Sequence, residues 1–346
     1  MRIILRRLFS ATNLSARRMI VRHASKDPVK EKKAESLSNN IIVEKFGEVT
    51  TINIDRRSTR NSLDIPTLKE MTAAIEEFEK DENAKVLVFN GEGGTFCSGF
   101  DIDEIEKVGY STMTDAAARL LNRPLCDKVT IAAIAGYAVG EGFELACSCD
   151  LRVIEDTAVL GCLGRRFGVP QSMYGGRKLT ALIGLSRSLD LLITGRLISG
   201  TEAHQFGLAS KLTSTGTALG ESIKLAKSLV KFPQNALIMD KLAAINSQLN
   251  PNSDESMRDE ALQASLLGNA IEDIKVGVKK FQSGIGKHGK FYKLTEVPAA
   301  EWEIETIQQE EIVLNPVNAT SAQTDQDSDK ITGNKEGTET KKDPKT

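Results

Sequence analysis

The chain is poor in the residues that build disulfide scaffolds and metal centres. Its five cysteines are Cys97, Cys126, Cys147, Cys149 and Cys162. An odd number at irregular spacing excludes a disulfide framework and points to a reducing compartment. Cys147 and Cys149 form C-x-C, and no second Cys/His cluster completes a zinc site, so no metal is expected. The five read instead as small buried hydrophobes. The three histidines, His23, His204 and His288, stand in unrelated contexts, and no Ser/His/Asp arrangement appears. Charge of one sign is also lacking: 45 Lys and Arg against 47 Asp and Glu leave a net charge of −2. That balance supplies no global electrostatic case for a nucleic-acid or membrane partner. No run approaches the ~20 apolar residues of a membrane span. What remains, at 40% hydrophobic and 27% charged residues over 346 positions, is the composition of a soluble globular core. The length alone fits one large domain or two modest ones.

Acidic residues are absent before Asp27, where Arg2, Arg6, Arg7, Arg17, Arg18 and Arg22 alternate with Ile3, Ile4, Leu5, Leu8 and Phe9. An Arg-rich, Ser-containing, acid-poor start predicts a mitochondrial transit peptide and linker over residues 1–37, and hence the mitochondrial matrix. The alternative is a disordered basic tail. A secretory signal would need an apolar core of about 7–15 residues before small ones, which is not present. At the other end no aromatic follows Trp302, and from Asn315 the chain is almost wholly polar. Such a segment buries too little apolar area to offset its ordering entropy, so residues 293–346 are expected to be a disordered polar tail. The glycosylation-type triplet Asn318-Ala319-Thr320 would be idle in a mitochondrial protein.

Residues 38–292 alternate strand and helix. Ile41 to Phe46 and Val49 to Ile54 predict a hairpin around Gly47-Glu48. Asp64 is placed to cap a helix with Pro66 in its first turn, and Leu68, Met71, Ile75 and Phe78 form its apolar stripe. Lys85 to Asn90 and Thr130 to Ala135 read as buried strands, and Leu151 to Ile154 and Ala158 to Leu160 as shorter ones. From Ser186 helices dominate, including Ser222 to Val230, Pro233 to Ile245 and Asp259 to Leu267. This order predicts an α/β fold with a helical C-terminal region.

Two segments carry the chemistry. Gly94 to Glu104 (GTFCSGFDIDE) follows the Lys85 strand, and Ala135 to Asp150 (AGYAVGEGFELACSCD) follows the Thr130 strand into a helix beginning near Glu141. Glycines let a backbone approach a ligand closely, and the first amides of a helix have no internal partner. Two such amides converging on a carbonyl oxygen make an oxyanion hole, reinforced by the positive helix end. The same pattern also serves tight packing or a phosphate cradle.

In order and spacing, Asn61-Ser62-Leu63, Phe96 to Ile102, Gly136 to Ala146, and Leu192 to Gly207 (LLITGRLISGTEAHQFG) resemble the crotonase (enoyl-CoA hydratase/isomerase) superfamily, across about residues 40–290. The resemblance implies a crotonase-like spiral of ββα units with a C-terminal helical region, usually a homotrimer or hexamer. It also implies an acyl-CoA thioester whose carbonyl accepts the backbone N–H groups of Phe100 and Glu141. Because those contacts are main-chain, the unusual side chains there leave the role intact. No cofactor is expected, since coenzyme A is part of the substrate. Further substrate contacts fall on Gly99, Asp101, Gly140, Gly142, Gly164 and Arg165, with Asp101 also placed to cap the helix that follows it.

Glu144 matches one of the two catalytic glutamates of the hydratases, where a carboxylate can move a proton or activate water. As an alternative it is a charge partner for the helix dipole. The second glutamate's place falls on Gly164, and Arg165 to Pro170 (RRFGVP) resembles a subgroup of the family. Syn hydration needs two acid/base groups, whereas one carboxylate suits a 1,3-proton shuttle. Hydratase and double-bond isomerase are therefore the two leading reactions. Decarboxylation or thioester hydrolysis follows, with Arg165 or Arg166 either drawing a substrate carboxylate or lying at a surface or trimer interface. A non-catalytic acyl-CoA-binding or scaffold protein is the competing class. Restoring the carboxylate by Gly164→Glu is expected to raise hydration if the loop accommodates it.

Overall fold

The computed structural model describes residues 40–121, 125–169, 171, 175–249, 257, 271–283 and 285. The expected transit segment, the helix expected at Asp259 to Leu267 and the expected polar tail lie outside the described residues. The hairpin forms as the sequence predicts: β1 (Ile41–Phe46) pairs antiparallel with β2 (Val49–Ile54). The chain then enters α1 (Ile65–Lys80), where the Asp64 carboxylate accepts the Thr67 N–H at 2.8 Å. Next come β3 (Val86–Gly91) and three short helices, α2 (Ile102–Val108), α3 (Tyr110–Ala116) and α4 (Ala118–Leu121).

The strand–strand–helix order then recurs. One unit is β4 (Val129–Ile134), β5 (Tyr137–Val139) and α5 (Glu141–Ser148). The other is β6 (Leu151–Glu155), β7 (Val159–Gly161) and α6 (Gly175–Ile183), with a 3-10 turn at Leu163–Phe167 between. The longer strand of each unit joins a six-stranded sheet and the shorter one a three-stranded sheet. After α7 (Leu185–Thr194), β8 (Ile198–Ser199) and α8 (Gly200–Gln205), β9 (Lys211–Thr213) completes the large sheet. Its order is β1-β2-β3-β4-β6-β9, parallel throughout except for β1. The small sheet runs β5-β7-β8. Three helices end the described chain: α9 (Ala218–Val230), α10 (Gln234–Leu249) and α11 (Ile271–Gln282). None of the described helices is long and apolar enough to cross a membrane.

Strands β2, β3 and β4 are buried at every position, as parallel strands covered on both faces must be. On one face Ile52, Ile54, Leu87, Phe89, Ala132 and Ile134 pack with the α1 stripe of Leu68, Met71, Ile75 and Phe78. On the other, Val86, Val88, Val129, Ile131 and Val153 pack with Ala218 and Ala226 of α9. Helix α10 is tied down by charge: Lys241 Nζ lies 2.7 Å from Asp150 Oδ2 and donates to the carbonyls of Cys126 and Lys128.

None of the five cysteines is in a disulfide, and all are buried. Burial pushes the Cys97 thiol up to about 12 and raises Cys149 and Cys162 as well. Since the thiolate is the nucleophile, the native protein should release no thiol signal to a colorimetric disulfide reagent at neutral pH. Five equivalents should appear after denaturation, and fast labelling of the native protein would show that the core opens.

Candidate active site

The two glycine-containing segments meet across backbone hydrogen bonds. Phe96 N–H donates to Ala135 O, Cys97 N–H to Tyr137 O, and Val139 N–H to Cys97 O. The Asn61 side chain pins the first segment by donating to the carbonyls of Glu92 (2.9 Å) and Thr95 (2.6 Å). The segments run so close that a Cβ on Gly142 would lie 2.3 Å from Cys97 O. Gly140 caps α5 with φ 57° and ψ −130°, a conformation open essentially to glycine. Just beyond it, Glu141 N lies beside the Phe96–Asp101 loop, 3.2 Å from where a Cβ on Gly99 would stand.

Phe100 and Glu141 are brought together there, in an arrangement the sequence does not foretell. Phe100 N–H donates to Glu141 Oε2 at 3.0 Å, and Tyr110 O–H donates to Glu141 Oε1 at 3.0 Å. The Phe100 and Tyr110 rings meet edge to face with centroids 5.9 Å apart. Gly99 leaves the space: a Cβ on it would lie 2.8 Å from Glu141 Oε2 and 3.2 Å from Glu141 N. The Glu141 side chain is therefore not incidental, because it accepts one of the two N–H groups expected to face a substrate.

One turn further along α5, Glu144 is 1% exposed. It lines a crevice with Phe143, Cys147, Cys162, Gln171, Gly175 and Leu179. Its carboxyl is seated against Gly175, where a Cβ would lie 2.1 Å from Oε1. Any side chain at 175 would displace that carboxyl. A second tie lies below it: Lys178 Nζ donates to Ser148 Oγ, and the Ser148 hydroxyl donates to Glu144 O. Tyr110 and Gly175 are the site residues that sequence reasoning missed. The Gly175-Gly176 pair opening a helix was a readable signal, whereas Tyr110 carried none.

Asp101 and Arg165, expected to contact substrate, each have partners within the protein. Asp101 Oδ1 caps α2 by accepting the N–H groups of Asp103 and Glu104, and Oδ2 accepts from Arg56 and Ser62 at 2.9 Å. Burial alone would raise the Asp101 carboxyl. The Ser62 hydroxyl and the Arg56 guanidinium outweigh it and hold the group below the usual carboxylate range. Arg56 also pairs with Asp64 at 3.0 Å, so one guanidinium joins the caps of α1 and α2. Arg165 and Arg166 donate to Leu192 O and Gly195 O. There they complement the negative C-terminal end of α7.

Gly164 opens no vacancy for a second carboxylate. A Cβ there would lie 2.7 Å from Val169 O and 3.3 Å from Val169 Cβ. The condition attached to Gly164→Glu, that the loop accommodate the side chain, is not met in this arrangement. Forcing a side chain against this backbone should cost about 1–3 kcal/mol, read as a lowered Tm with no gain in hydration of a short enoyl-CoA. Among the described residues, no group of three or more His, Cys, Asp or Glu side chains could hold a metal ion.

Comparison with known proteins identifies this architecture. Residues 44–283 match the family model described as enoyl-CoA hydratase/isomerase. The chain is 31% identical over 244 residues to a probable enoyl-CoA hydratase of Rhizobium meliloti (strain 1021), covering 70% of this chain and 94% of that protein. It is also 31% identical over 219 residues to a protein of Dictyostelium discoideum named probable enoyl-CoA hydratase, mitochondrial, covering 63% and 79%. The solved structure of an enoyl-CoA hydratase subunit I from Geobacillus kaustophilus HTA426 superposes with a TM-score of 0.67 at 33% identity, covering 72% of this chain and 97% of that one. The chain belongs to the enoyl-CoA hydratase/isomerase family, and its α/β architecture is the crotonase fold.

Proposed function

We propose that this enzyme processes a fatty or branched acyl-CoA by stabilising a thioester enolate, with Glu144 as its acid/base. The observation that carries this reading is the seating of Glu144: a carboxyl 1% exposed, on the first turn of α5, pressed against Gly175 in a crevice. The N–H groups of Phe100 and Glu141 serve as the oxyanion hole, with Gly99, Gly140 and Gly142 giving the backbone room. With Gly164 in place of the second glutamate, the RRFGVP-type subgroup to which we assign the chain retains one acid/base group. That group can remove a proton from one carbon and return it to another, so isomerisation of an enoyl-CoA double bond is favoured over hydration. Arg165 and Arg166 rest on the end of α7 through Leu192 O and Gly195 O, which supports a positioning role for them over the drawing of a substrate carboxylate.

The acid-free N-terminal segment and the mitochondrial name of the Dictyostelium relative support import into the matrix. Leu185, Leu189 and Ile193 form an exposed stripe along α7, with Phe167 also exposed. The stripe supports assembly as a homotrimer or hexamer. A second reading, an acyl-CoA-binding protein without turnover, is favoured by one observation, the Glu141 carboxylate on Phe100 N–H. A panel of 2-enoyl- and 3-enoyl-CoA thioesters, assayed for turnover alongside calorimetric binding, separates the two. Isomerisation exceeding hydration is the expected result. Efficient hydration overturns the single-acid mechanism, and binding without turnover on any member establishes the second reading.

A further inference from the structure

The carboxylate of Glu141 occupies one of the two donors of the proposed oxyanion hole, Phe100 N–H. Oε2 accepts the Phe100 N–H at 3.0 Å, and Oε1 is held by the Tyr110 hydroxyl at 3.0 Å. A carboxylate oxygen has the charge and acceptor character of the enolate oxygen that such a hole stabilises. At the first position of α5 it also gains from the positive end of the helix. The side chain is thus an intramolecular stand-in for the oxyanion, and its tether comes from a different helix, α3.

We propose that Glu141 and Tyr110 are specificity-determining residues of this site: the hole admits a thioester carbonyl only by displacing the Glu141 carboxylate from Phe100 N–H. This rests on the oxyanion reading given above. A neutral thioester carbonyl is a weaker acceptor than a carboxylate, so the carbonyl alone does not win the exchange. The energy to open the hole must come from binding elsewhere on the ligand. The substrate class that fits is a full coenzyme A thioester, whose nucleotide portion binds while the carbonyl displaces Glu141. Short thioesters lacking that portion are excluded by the same competition. Tyr110, which touches no reacting atom in this scheme, sets how firmly the carboxylate is held.

The test is calorimetric binding of butyryl-CoA and of free coenzyme A to the full chain and to Glu141→Gly, Glu141→Gln and Tyr110→Phe. Glu141→Gly removes the resident acceptor and should tighten butyryl-CoA by about tenfold, as expected for release of a charge-assisted hydrogen bond, while free coenzyme A is unchanged. Glu141→Gln keeps the shape without the charge and should fall between wild type and glycine. Tyr110→Phe should tighten butyryl-CoA by about threefold. The glutamine and phenylalanine variants carry the test if the glycine variant does not fold. Equal or weaker butyryl-CoA binding in the folded Glu141 variants, with free coenzyme A unaffected, overturns the proposal while leaving the oxyanion reading standing. Butyryl-CoA binding no tighter than free coenzyme A in every protein, wild type included, refutes the oxyanion reading and this proposal with it.

Discussion

Glu144→Gln is expected to lower turnover of an enoyl-CoA by about 10²–10⁴-fold, with the fold and thioester affinity retained. The amide matches the carboxyl in size, which matters because the group sits against Gly175 with no space to spare. It cannot accept and return a proton, and that capacity is the whole of the role proposed for Glu144. The burial of the residue, at 1% exposure, makes the isosteric change the informative one, since alanine would also leave a cavity. The measurement pairs kcat on a 3-enoyl-CoA with a thermal melt and calorimetric binding of butyryl-CoA. Near-full activity in a folded, ligand-binding variant removes Glu144 from the mechanism. Attention would then pass to Glu141, the other carboxylate on the first turn of α5, because Asp101 is committed to Arg56 and to the cap of α2.

The second large effect separates a main-chain role from a side-chain role at one position. Glu141→Pro removes both the carboxylate and the N–H, whereas Glu141→Gly removes the carboxylate alone. Their ratio isolates the N–H. Glu141 is the first residue of α5, following the Gly140 cap, and proline is well tolerated at that position because its missing N–H has no partner within the helix. Loss of one oxyanion donor costs about 10²–10³-fold, roughly 2.7–4 kcal/mol, so kcat of the proline variant should fall below that of the glycine variant by this factor. Circular dichroism controls for distortion at Gly140. Equal turnover in the two folded variants would eliminate Glu141 N–H as a donor.

Much of the scaffold is legible in the sequence. The β1–β2 hairpin, the Asp64 cap and the α1 stripe are set by local chemistry: turn residues, a side-chain acceptor for an orphan N–H, and 3.6-residue spacing. Strand β5 was hidden within what reads as a glycine-rich turn, and β8 and β9 were missed altogether, because two or three residues are too few to show a period. Their existence depends on partners: β5 on β7 and β9 on β6, each supplied by chain far from it or by a crossover.

The same division holds at the site. By itself the sequence determined the family-type motifs, the place of Glu144, the lack of a carboxylate at Gly164, and the glycines that allow two loops to cross. Local spacing and residue type suffice for these. Only the tertiary structure decided what each side chain does once the loops meet. It turned Glu141 onto the Phe100 amide, brought Tyr110 from another helix to hold it, and assigned Asp101 to Arg56. It also closed the space above Gly164 with the Val169 carbonyl. Apart from the Gly164–Val169 approach within one turn, these contacts join residues tens of positions apart, and their geometry follows from packing, which a linear pattern does not encode.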